Sequence, residues 1–358
     1  MSSAGAPAQP IGSRDLEHVF THTAGLWEAL RGRRLLISGG TGFFGIWLVE
    51  SFLHANERLG LEAEALVLSR DPEAFLARTP HLAGRSGLAL LRGDMGGFAF
   101  PPGEFAAVIH AATEPERGLD PLEIFERNVK GTGRLLEFAA RAGAGRFLFT
   151  SSGAVYGRQP PELTLAPEDY AGAPRPVETE TAYGQSKRVS EFLCAAHAQR
   201  HGFTATIARC FAFVGPHLPL DAGYAAGNFI RDALAGVPIR VRGDGTPRRS
   251  YLYAADLAVW LWTILMRGRA SRAYNVGSED EVSIAELART VAAAVKPAAA
   301  VEIAGRPDPA RAPERYVPST LRCREELGVA AAIPLGEALR RTAAWHGSPG
   351  NIASQSAP

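Results

Sequence analysis

Short aliphatic runs alternate with longer amphipathic stretches along the chain from Arg33 onward. This rhythm is typical of a parallel sheet whose strands are joined by crossover helices. Six runs are predicted as strands: residues 34–38, 65–69, 89–92, 107–110, 146–150 and 204–209. Four stretches are predicted as helices: residues 42–58, 120–141, 182–201 and 227–235. The pattern therefore predicts an α/β fold, a doubly wound parallel sheet with right-handed crossovers.

The pattern changes after residue 211, where scattered short elements with many Pro and Gly replace the regular alternation. Helices are predicted there at residues 252–266, 283–295 and 335–345, the second of them behind a Ser283 cap. The expected division of the chain has four parts. Residues 1–32 form a tail and a lead-in helix, with a loose segment over 1–12, and residues 33–211 form the sheet domain. Residues 212–346 form the main part of a smaller lobe, which is interleaved with the sheet domain and covers its ligand edge. Residues 347–358 form a disordered tail.

The composition excludes several classes of protein. The 358 residues are 46% apolar, and 38 basic against 37 acidic residues leave a net charge of +1, too little for a nucleic-acid or membrane-surface binder. The most apolar segment, 257–266, is about half the roughly 20 residues that span a bilayer, and the N-terminus lacks a secretory pattern. Three widely spaced cysteines offer neither a disulfide framework nor a metal site. We therefore expect a cytoplasmic protein without a metal.

A glycine-rich turn directly follows the first predicted strand. Glycines at positions 39, 42 and 45 let backbone N–H groups at a helix N-terminus approach a pyrophosphate, which the helix dipole attracts. About 0.4 matches to this spacing are expected by chance in a chain so rich in glycine, so the strand–turn–helix context carries the interpretation. The turn predicts a dinucleotide site, and the alternative is a loop that binds nothing.

The end of the second strand bears on the choice of dinucleotide. A fold that prefers NAD commonly has a carboxylate there for the ribose 2′-hydroxyl, whereas this strand ends Ser69-Arg70-Asp71. An arginine guanidinium suits a 2′-phosphate. We therefore expect NAD(P) as the cofactor, with NADP favoured over NAD. The preference is only slight, because Asp71 is near enough to reach the ribose. The alternative is that Arg70 only begins a solvated loop.

Tyr183 and Lys187 are four residues apart in a predicted helix, so their side chains share one face. With eight tyrosines and only three lysines in the chain, about 0.07 such pairs are expected by chance. The fifth predicted strand leads into Ser152 at the edge where ligands bind. Lys187 and a positively charged nicotinamide would lower the pKa of Tyr183, which would then take a proton from a substrate hydroxyl held by Ser152. The alternatives are a turn-forming hydroxyl at Ser152 and a buried aromatic at Tyr183.

Together these residues resemble the extended short-chain dehydrogenase/reductase family, whose members mostly modify nucleotide sugars. The resemblance runs from about Arg33 to Trp345 and implies a Rossmann domain with a smaller C-terminal substrate-binding lobe. His110, at a strand end, is then expected to be a packing residue. The predicted catalytic residues are Ser152, Tyr183 and Lys187. The predicted cofactor-binding residues are Gly39, Gly42, Phe43, Phe44, Gly45, Arg70, Asp94, Met95, Ala111, Ala112, Asn128, Tyr183 and Lys187.

The resemblance also implies a site for a nucleotide-diphosphate sugar in the distal half of the chain. Residues 243–253 resemble the family segment in which an arginine, here Arg249, clamps the diphosphate. A homodimer through helices 120–141 and 182–201 is expected for the same reason. The other substrate-binding positions that the resemblance implies are Ser152, Asn228, Phe229, and Arg306 or Arg315.

The departures from the family pattern narrow the chemistry. Family dehydratases carry an Asp-Glu pair just after the catalytic hydroxyl, because eliminating water needs a separate acid and base. Gly153 and Ala154 occupy those positions here, and the glutamate of a sugar-acid decarboxylase is missing from the same place. Ala212 stands where the family has a substrate-contacting asparagine, and a Pro-rich insertion between Tyr156 and Tyr183 would reshape the pocket.

What remains is chemistry that needs only a hydride and one proton. The first hypothesis is a nucleotide-sugar epimerase that oxidises a sugar hydroxyl at C4 and reduces the other face of the ketone with retained cofactor. The alternative, which the Ser69-Arg70 ending favours, is an NADPH-dependent 4-ketoreductase. The third hypothesis is a binding module that keeps the fold without catalysis.

Overall fold

The computed structural model of the protein describes residues 8–113 and 119–348. Its strands are β1 (Arg34–Ser38), β2 (Glu64–Ser69), β3 (Leu88–Arg92), β4 (Ala107–His110), β5 (Arg146–Ser152), β6 (Thr204–Cys210), β7 (Phe213–Val214), β8 (Ile239–Val241), β9 (Arg248–Ser250), β10 (Leu252–Tyr253), β11 (Arg272–Val276), β12 (Glu281–Ser283), β13 (Val301–Ile303) and β14 (Arg315–Tyr316). Its α-helices are α1 (Ser13–His22), α2 (Phe43–Leu59), α3 (Pro72–Arg78), α4 (Pro121–Arg141), α5 (Ala182–His201), α6 (Ala225–Ala235), α7 (Ala254–Arg267), α8 (Ile284–Val295), α9 (Leu321–Leu327) and α10 (Leu335–His346). Short 3₁₀-helices lie at Trp27–Leu30, Pro80–Leu82, Gly153–Tyr156 and Thr179–Thr181.

A seven-stranded sheet in the order β11-β6-β5-β4-β1-β2-β3 forms the centre of the molecule. Every pair of neighbouring strands in it is parallel. Side chains of β1 alternate between two hydrophobic cores, with Leu35 and Ile37 on one face and Leu36 on the other. Helices α2 and α7 contribute to the first core, and α4 and α5 contribute to the second. The strand order, the pairing and the helices on both faces confirm the predicted doubly wound α/β fold.

The six predicted strands are all present, and β11 is a seventh strand that the pattern did not predict. It pairs with β6 at the edge of the sheet. Its sequence Arg-Ala-Tyr-Asn-Val has no aliphatic run like those of the central strands, so the hydrophobic pattern does not identify it. The chain beyond residue 211 therefore returns to the central sheet.

The predicted helix at 252–266 begins two residues later than expected. Leu252 donates its N–H to the Ala212 carbonyl oxygen, and β10 pairs with β7, so α7 starts only at Ala254. The Ser283 cap is confirmed as a capping box, because Ser283 Oγ accepts the Glu286 N–H at 3.1 Å and the Glu286 carboxylate accepts the Ser283 N–H at 2.7 Å.

The distal part of the chain adds small sheets beside the carboxyl end of β5. Strand β9 lies between β12 and β14, and the pairing with β14 places Tyr316 beside Arg249. A bridge between Gln159 and Arg315 joins β14 to the segment that follows β5. This arrangement brings β14 beside the segment that follows β5.

The prediction of a loose segment over residues 1–12 is wrong for residues 8–12. Ile11 is buried, and its N–H donates to the buried Glu50 carboxylate at 2.8 Å. The Ala8 N–H donates to the Arg78 carbonyl oxygen at 2.7 Å. A buried carboxylate needs such a donor, and this need holds the segment in place. Residues 1–7, and residues 349–358 of the expected C-terminal tail, lie outside the described residues.

A buried histidine cluster lies where the two ends of the described chain meet. The Trp345 ring packs against His217 and His346, with 4.4 and 4.8 Å between ring centres. Trp345 Nε1 donates to the Pro10 carbonyl oxygen at 3.2 Å. Burial, with the nearby His217, lowers the pKa of His346 to about 4. The folded protein therefore holds His346 in its neutral form.

Acid should destabilise the protein partly through His346. As the pH falls from 6.5 towards 4, the unfolded chain takes up a proton that folded His346 refuses, so the free energy of unfolding decreases. This contribution is about 2 kcal/mol between pH 7 and pH 5. Urea unfolding at both pH values should show that loss in the wild type, and His346→Gln should remove it. The exposed His201→Gln variant serves as the control and should keep the wild-type dependence; equal losses in His346→Gln and wild type would contradict the prediction.

Candidate active site

The glycine turn after β1 packs tightly against the turn after β4. Gly39 has a φ of +74°, and a Cβ on it would collide with the backbone of Ala111 and Ala112. A Cβ on Gly45 would collide with the Gly39 carbonyl oxygen. Both contacts require glycine, and they bring four of the predicted cofactor residues into one place.

The start of α2 fits the pyrophosphate of a dinucleotide. The N-cap residue of this helix is Gly42, which has no side chain to accept a hydrogen bond from the N–H groups of the first turn. Phe44 follows in that turn and packs edge-on against Phe213, with 5.0 Å between ring centres. Phe43 lies beside it, with 5.7 Å between the two rings. The chain's own residues thus form a cradle with donors at a helix N-terminus.

The end of β2 places Arg70 and Asp71 in different environments. Arg70 is exposed, and its carbonyl oxygen accepts a hydrogen bond from Arg92 at 3.3 Å. The Asp71 carboxylate accepts the Ala74 N–H at 3.0 Å and caps α3. The carboxylate nearest to a ribose site is therefore engaged with the helix backbone.

Three more predicted cofactor residues lie around α4. Asp94 is exposed and accepts a backbone N–H two residues further on at 2.8 Å. Met95 is buried against Gly131, where a Cβ would lie 2.7 Å from the methionine Cγ. Asn128 is buried in α4 and its Nδ2 donates to Ser186 Oγ at 3.3 Å. The last contact joins α4 to the helix that carries the predicted catalytic pair.

The predicted catalytic residues meet at the carboxyl end of β5. Lys187 is only 2% exposed, and its Nζ donates to the Thr150 carbonyl oxygen at 2.8 Å. The same Nζ lies 4.7 Å from the centre of the Phe149 ring and 5.6 Å from that of Tyr183. Ser152 follows Thr150 by two residues and is hydrogen bonded to Tyr183. The structure therefore brings all three together.

Burial dominates the electrostatics of this group. It raises the pKa of Tyr183, and the neighbouring Tyr316 raises it further, while the hydrogen bond to Ser152 lowers it. Burial also lowers the pKa of Lys187 to about 8. The lowering of the Tyr183 pKa by Lys187 and a bound nicotinamide stays a prediction for the cofactor complex, since the protein by itself holds the phenol protonated.

His110 has the environment of a packing residue. Its Nδ1 lies 2.8 Å from Ser38 Oγ and its Nε2 lies 3.1 Å from Thr132 Oγ1. Burial, with a smaller effect from Lys187, keeps its pKa well below the ordinary value. The imidazole is a neutral bridge between β1 and α4, as expected.

Tyr316 is a contact of the serine that the sequence did not predict. Its hydroxyl oxygen lies 3.4 Å from Ser152 Oγ, and its ring packs against Phe211 with 4.6 Å between centres. A Cβ on Gly153 would lie 2.8 Å from the Tyr316 hydroxyl and 2.8 Å from the Phe211 ring. The only sequence signal for Tyr316 is its position next to Arg315, which the family resemblance implies as a substrate-binding residue.

The predicted substrate-binding residues in the distal lobe differ in burial and in their contacts. The Arg249 guanidinium donates to its neighbour's carbonyl oxygen at 2.9 Å, lies 3.8 Å from the Glu314 carboxylate and is 5.7 Å from the Tyr316 ring centre. Arg249 is thereby linked to the catalytic group. Asn228 is half-buried on α6, whereas Phe229 beside it is buried in the hydrophobic core.

The two candidates for a second phosphate arginine differ in the same way. Arg306 is exposed. Arg315 is half-buried, donates to the Glu281 carboxylate at 2.9 Å and to the Pro161 carbonyl oxygen at 3.3 Å. Arg315 shares the Glu281 carboxylate with Arg248, which lies 2.7 Å from it, whereas Arg306 is exposed.

The Pro-rich insertion forms one wall of a cavity of about 820 Å³. Ala154 and Gly184 lie on another wall, close in sequence to Ser152 and Tyr183. In the described part of the chain, no cluster of three or more His, Cys, Asp or Glu side chains has a geometry for holding a metal ion. None of the helices described is long and apolar enough to cross a membrane.

Comparisons with known proteins agree with this geometry. The model of the NAD dependent epimerase/dehydratase family matches residues 35–277. UDP-glucuronic acid decarboxylase 5 of Arabidopsis thaliana is 31% identical over 310 residues, which cover 86% of this chain and 87% of that protein.

Solved structures share the fold. An epimerase from Methanothermobacter thermautotrophicus has a TM-score of 0.74 at 22% identity, over 94% of this chain and 98% of its own. The UDP-glucose 4-epimerase of Thermotoga maritima has a TM-score of 0.70 at 19% identity, over 87% and 98%. The glycine turn, the parallel sheet and the family match lead to one conclusion: the chain belongs to the NAD dependent epimerase/dehydratase family.

Proposed function

We propose that the protein is a nucleotide-sugar epimerase that oxidises a sugar hydroxyl, at C4, and reduces the resulting ketone from the other face with retained cofactor. The observation that carries this proposal is that Ser152, Tyr183 and Lys187 lie together beside Gly153. The space that a side chain at position 153 would take is occupied by the Tyr316 phenol and the Phe211 ring. One proton acceptor and a hydroxyl suffice for hydride chemistry at a carbinol carbon. They do not suffice for eliminating water.

The chain's own residues divide the work as follows. Tyr183 takes the proton of the sugar hydroxyl and later returns it to the ketone oxygen, while Ser152 holds that oxygen by a hydrogen bond. The Lys187 ammonium lies close enough to the Tyr183 ring to stabilise the phenolate once it forms. NAD(P), when bound, supplies the exchange of hydride. Arg249, whose guanidinium lies 5.7 Å from the centre of the Tyr316 ring, is proposed to hold the diphosphate.

The groups around Tyr183 support this division. After burial, the strongest influences on its pKa come from Tyr316, Ser152, Cys210 and Tyr224, and none of these is a carboxylate. A dehydratase or a sugar-acid decarboxylase of the family places acidic groups just after its catalytic hydroxyl, where this chain has Gly153 and Ala154. Because the relative named above is a UDP-glucuronic acid decarboxylase, UDP-glucuronate belongs among the substrates tested.

An NADPH-dependent 4-ketoreductase is the second candidate, and the end of β2 favours it. Asp71 is engaged as the cap of α3, whereas Arg70 is exposed at the same strand end. A guanidinium there suits a 2′-phosphate. A one-way reductase draws on an NADPH pool, so a preference for NADP supports that reaction over epimerisation.

The remaining proposals concern the setting in which the enzyme works. The cysteines Cys194, Cys210 and Cys323 are buried as free thiols, which supports a reducing, cytoplasmic location. The sheet domain and the interleaved distal lobe are proposed to carry cofactor and substrate respectively, divided near residue 211. A homodimer is proposed through α4 and α5.

Purified enzyme should interconvert epimers of a nucleotide hexose without added reductant. The test incubates the enzyme with UDP-, dTDP-, GDP- and CDP-hexoses, their 4-keto derivatives and UDP-glucuronate, and follows products by chromatography and NADPH by absorbance. Turnover only with a 4-keto sugar and stoichiometric loss of NADPH would replace the epimerase with the reductase. Release of CO₂ from UDP-glucuronate, or no turnover at all, would contradict both.

Tyr183→Phe is the matched control for that assay. It removes the proton acceptor and keeps the ring, so turnover should fall at least about a thousandfold, while the cofactor still binds. Tyr170→Phe removes a phenol from the inserted segment and should leave turnover as in the wild type.

The wild type should bind NADPH more tightly than NADH, and Arg70→Ala should reverse part of that preference. Loss of a charge-assisted hydrogen bond to the 2′-phosphate should weaken NADPH roughly tenfold or more and leave NADH nearly unchanged. Fluorescence titration measures both dissociation constants. Arg85→Ala, which removes an exposed arginine paired with Glu57, should change neither constant. Tighter binding of NADH by the wild type would count against the reductase.

The protein should be a dimer that Phe192→Asp dissociates. Phe192 and Leu122 are 69% and 70% exposed on α5 and α4, an unusual exposure for large apolar side chains on neighbouring helices. A buried carboxylate at that position would destabilise the interface. Light scattering after gel filtration measures the mass. Leu321→Asp, on α9, is the control and should remain a dimer; a monomeric wild type would reject the proposed interface.

A further inference from the structure

The distal lobe sends a second phenol, Tyr316, to the predicted catalytic serine. Its hydroxyl oxygen lies 3.4 Å from Ser152 Oγ and 3.4 Å from the Cys210 carbonyl oxygen. Its ring packs against Phe211, and the Arg249 guanidinium lies 5.7 Å from the ring centre on the neighbouring strand. These contacts restrict the position of the hydroxyl on several sides.

Tyr316 can approach Ser152 because residue 153 is a glycine. A Cβ on this glycine would lie 2.8 Å from the Tyr316 hydroxyl and 2.8 Å from the Phe211 ring, closer than such atoms approach in proteins. Any other side chain at position 153 would therefore displace the phenol or the ring that supports it. The approach of Tyr316 to Ser152 therefore depends on the absence of a side chain at position 153.

The hydrogen-bonding capacity of Ser152 shows what this contact does. A serine hydroxyl donates one proton and accepts at two lone pairs. One lone pair of Ser152 accepts the Ala154 N–H at 3.1 Å. Tyr316 has one proton and two acceptors at 3.4 Å, the Cys210 carbonyl oxygen and the second lone pair of Ser152. In the arrangement in which Tyr316 donates to Ser152, both lone pairs are occupied, and the Ser152 proton is directed to Tyr183 or to a reacting oxygen. Ser152 then faces a reacting oxygen as a donor only.

We propose that Tyr316 is a positioning residue that holds the Ser152 hydroxyl as a donor to the reacting sugar oxygen, and that Gly153 is required for it to do so. The inference rests on the function proposed above. Hydroxyl contacts in a site without substrate are often long and shorten when the reacting group is bound. Tyr183 accepts the proton of the substrate, and Tyr316 itself exchanges no proton with it.

Tyr316→Phe tests the proposal, because it keeps the ring on Phe211 and removes only the hydroxyl. On the substrate that the wild type turns over, kcat should fall roughly tenfold, with KM and the cofactor dissociation constant changed less than about twofold. An unchanged kcat, or a loss that appears in KM and not in kcat, would overturn the proposal.

Gly153→Ala provides the second variant and a double-mutant cycle. It should lower kcat by a similar factor, and the double variant should be no slower than either single one, because both changes remove the same contact. Losses that multiply would show independent effects and overturn the proposal. Tyr170→Phe is the control for loss of a phenol elsewhere, and thermal unfolding checks that each variant is folded.

Crystal structures of the wild type and of Gly153→Ala keep this inference separate from the proposed function. The wild type should show the Tyr316 hydroxyl within about 3.4 Å of Ser152 Oγ, and the variant should show it displaced. A variant that retains the contact would overturn the inference even for an active enzyme. A wild type that turns over no nucleotide sugar would reject the function and leave the role of Gly153 to be decided by the structures.

Discussion

Burial of the Lys187 ammonium beside the Tyr183 phenol is the constraint on which the rest of the site depends. A charged group that loses its water needs other partners. Lys187 finds them in the Thr150 carbonyl oxygen at 2.8 Å and the face of the Phe149 ring. Burial lowers the pKa of Lys187, and Glu191, one turn further along α5, opposes that change. Because these partners belong to β5 and α5, the helix must dock on the strand end, and the same docking brings Tyr183 to the carboxyl edge of the sheet.

A second, partly buried network extends this docking into the rest of the molecule. Arg209 donates to both oxygens of Glu191 at 3.0 and 2.7 Å, to the Tyr156 hydroxyl at 2.9 Å and to the Glu168 carbonyl oxygen at 3.0 Å. Ser151, next to Ser152, donates to the same carboxylate at 2.6 Å. A buried ion pair stabilises a fold only when its remaining donors and acceptors are satisfied. Here they are satisfied by strand, helix and inserted segment together, so the insertion is anchored to β5 and β6.

Local rules explain which features were predictable from the sequence. Aliphatic runs identified the six predicted strands, and the Ser283 cap identified the start of α8. Tyr183 and Lys187 were predictable as a pair because residues four apart in a helix share a face. Tyr316 was not, because its approach depends on the pairing of β14 with β9 and on the space beside Gly153. The strand β11 was missed for a related reason, since only its pairing with β6 makes it a strand.

The sequence by itself determined the doubly wound sheet, the glycine turn and the shared helical face of Tyr183 and Lys187, because backbone sterics and side-chain periodicity act over a few residues. Only the tertiary structure decided that Ile11 binds the Glu50 carboxylate, that Arg315 pairs with Glu281, and that Tyr316 contacts Ser152. Each of these depends on a partner far away in the chain. Such partners are chosen by the packing of whole elements, which no local pattern of residues encodes.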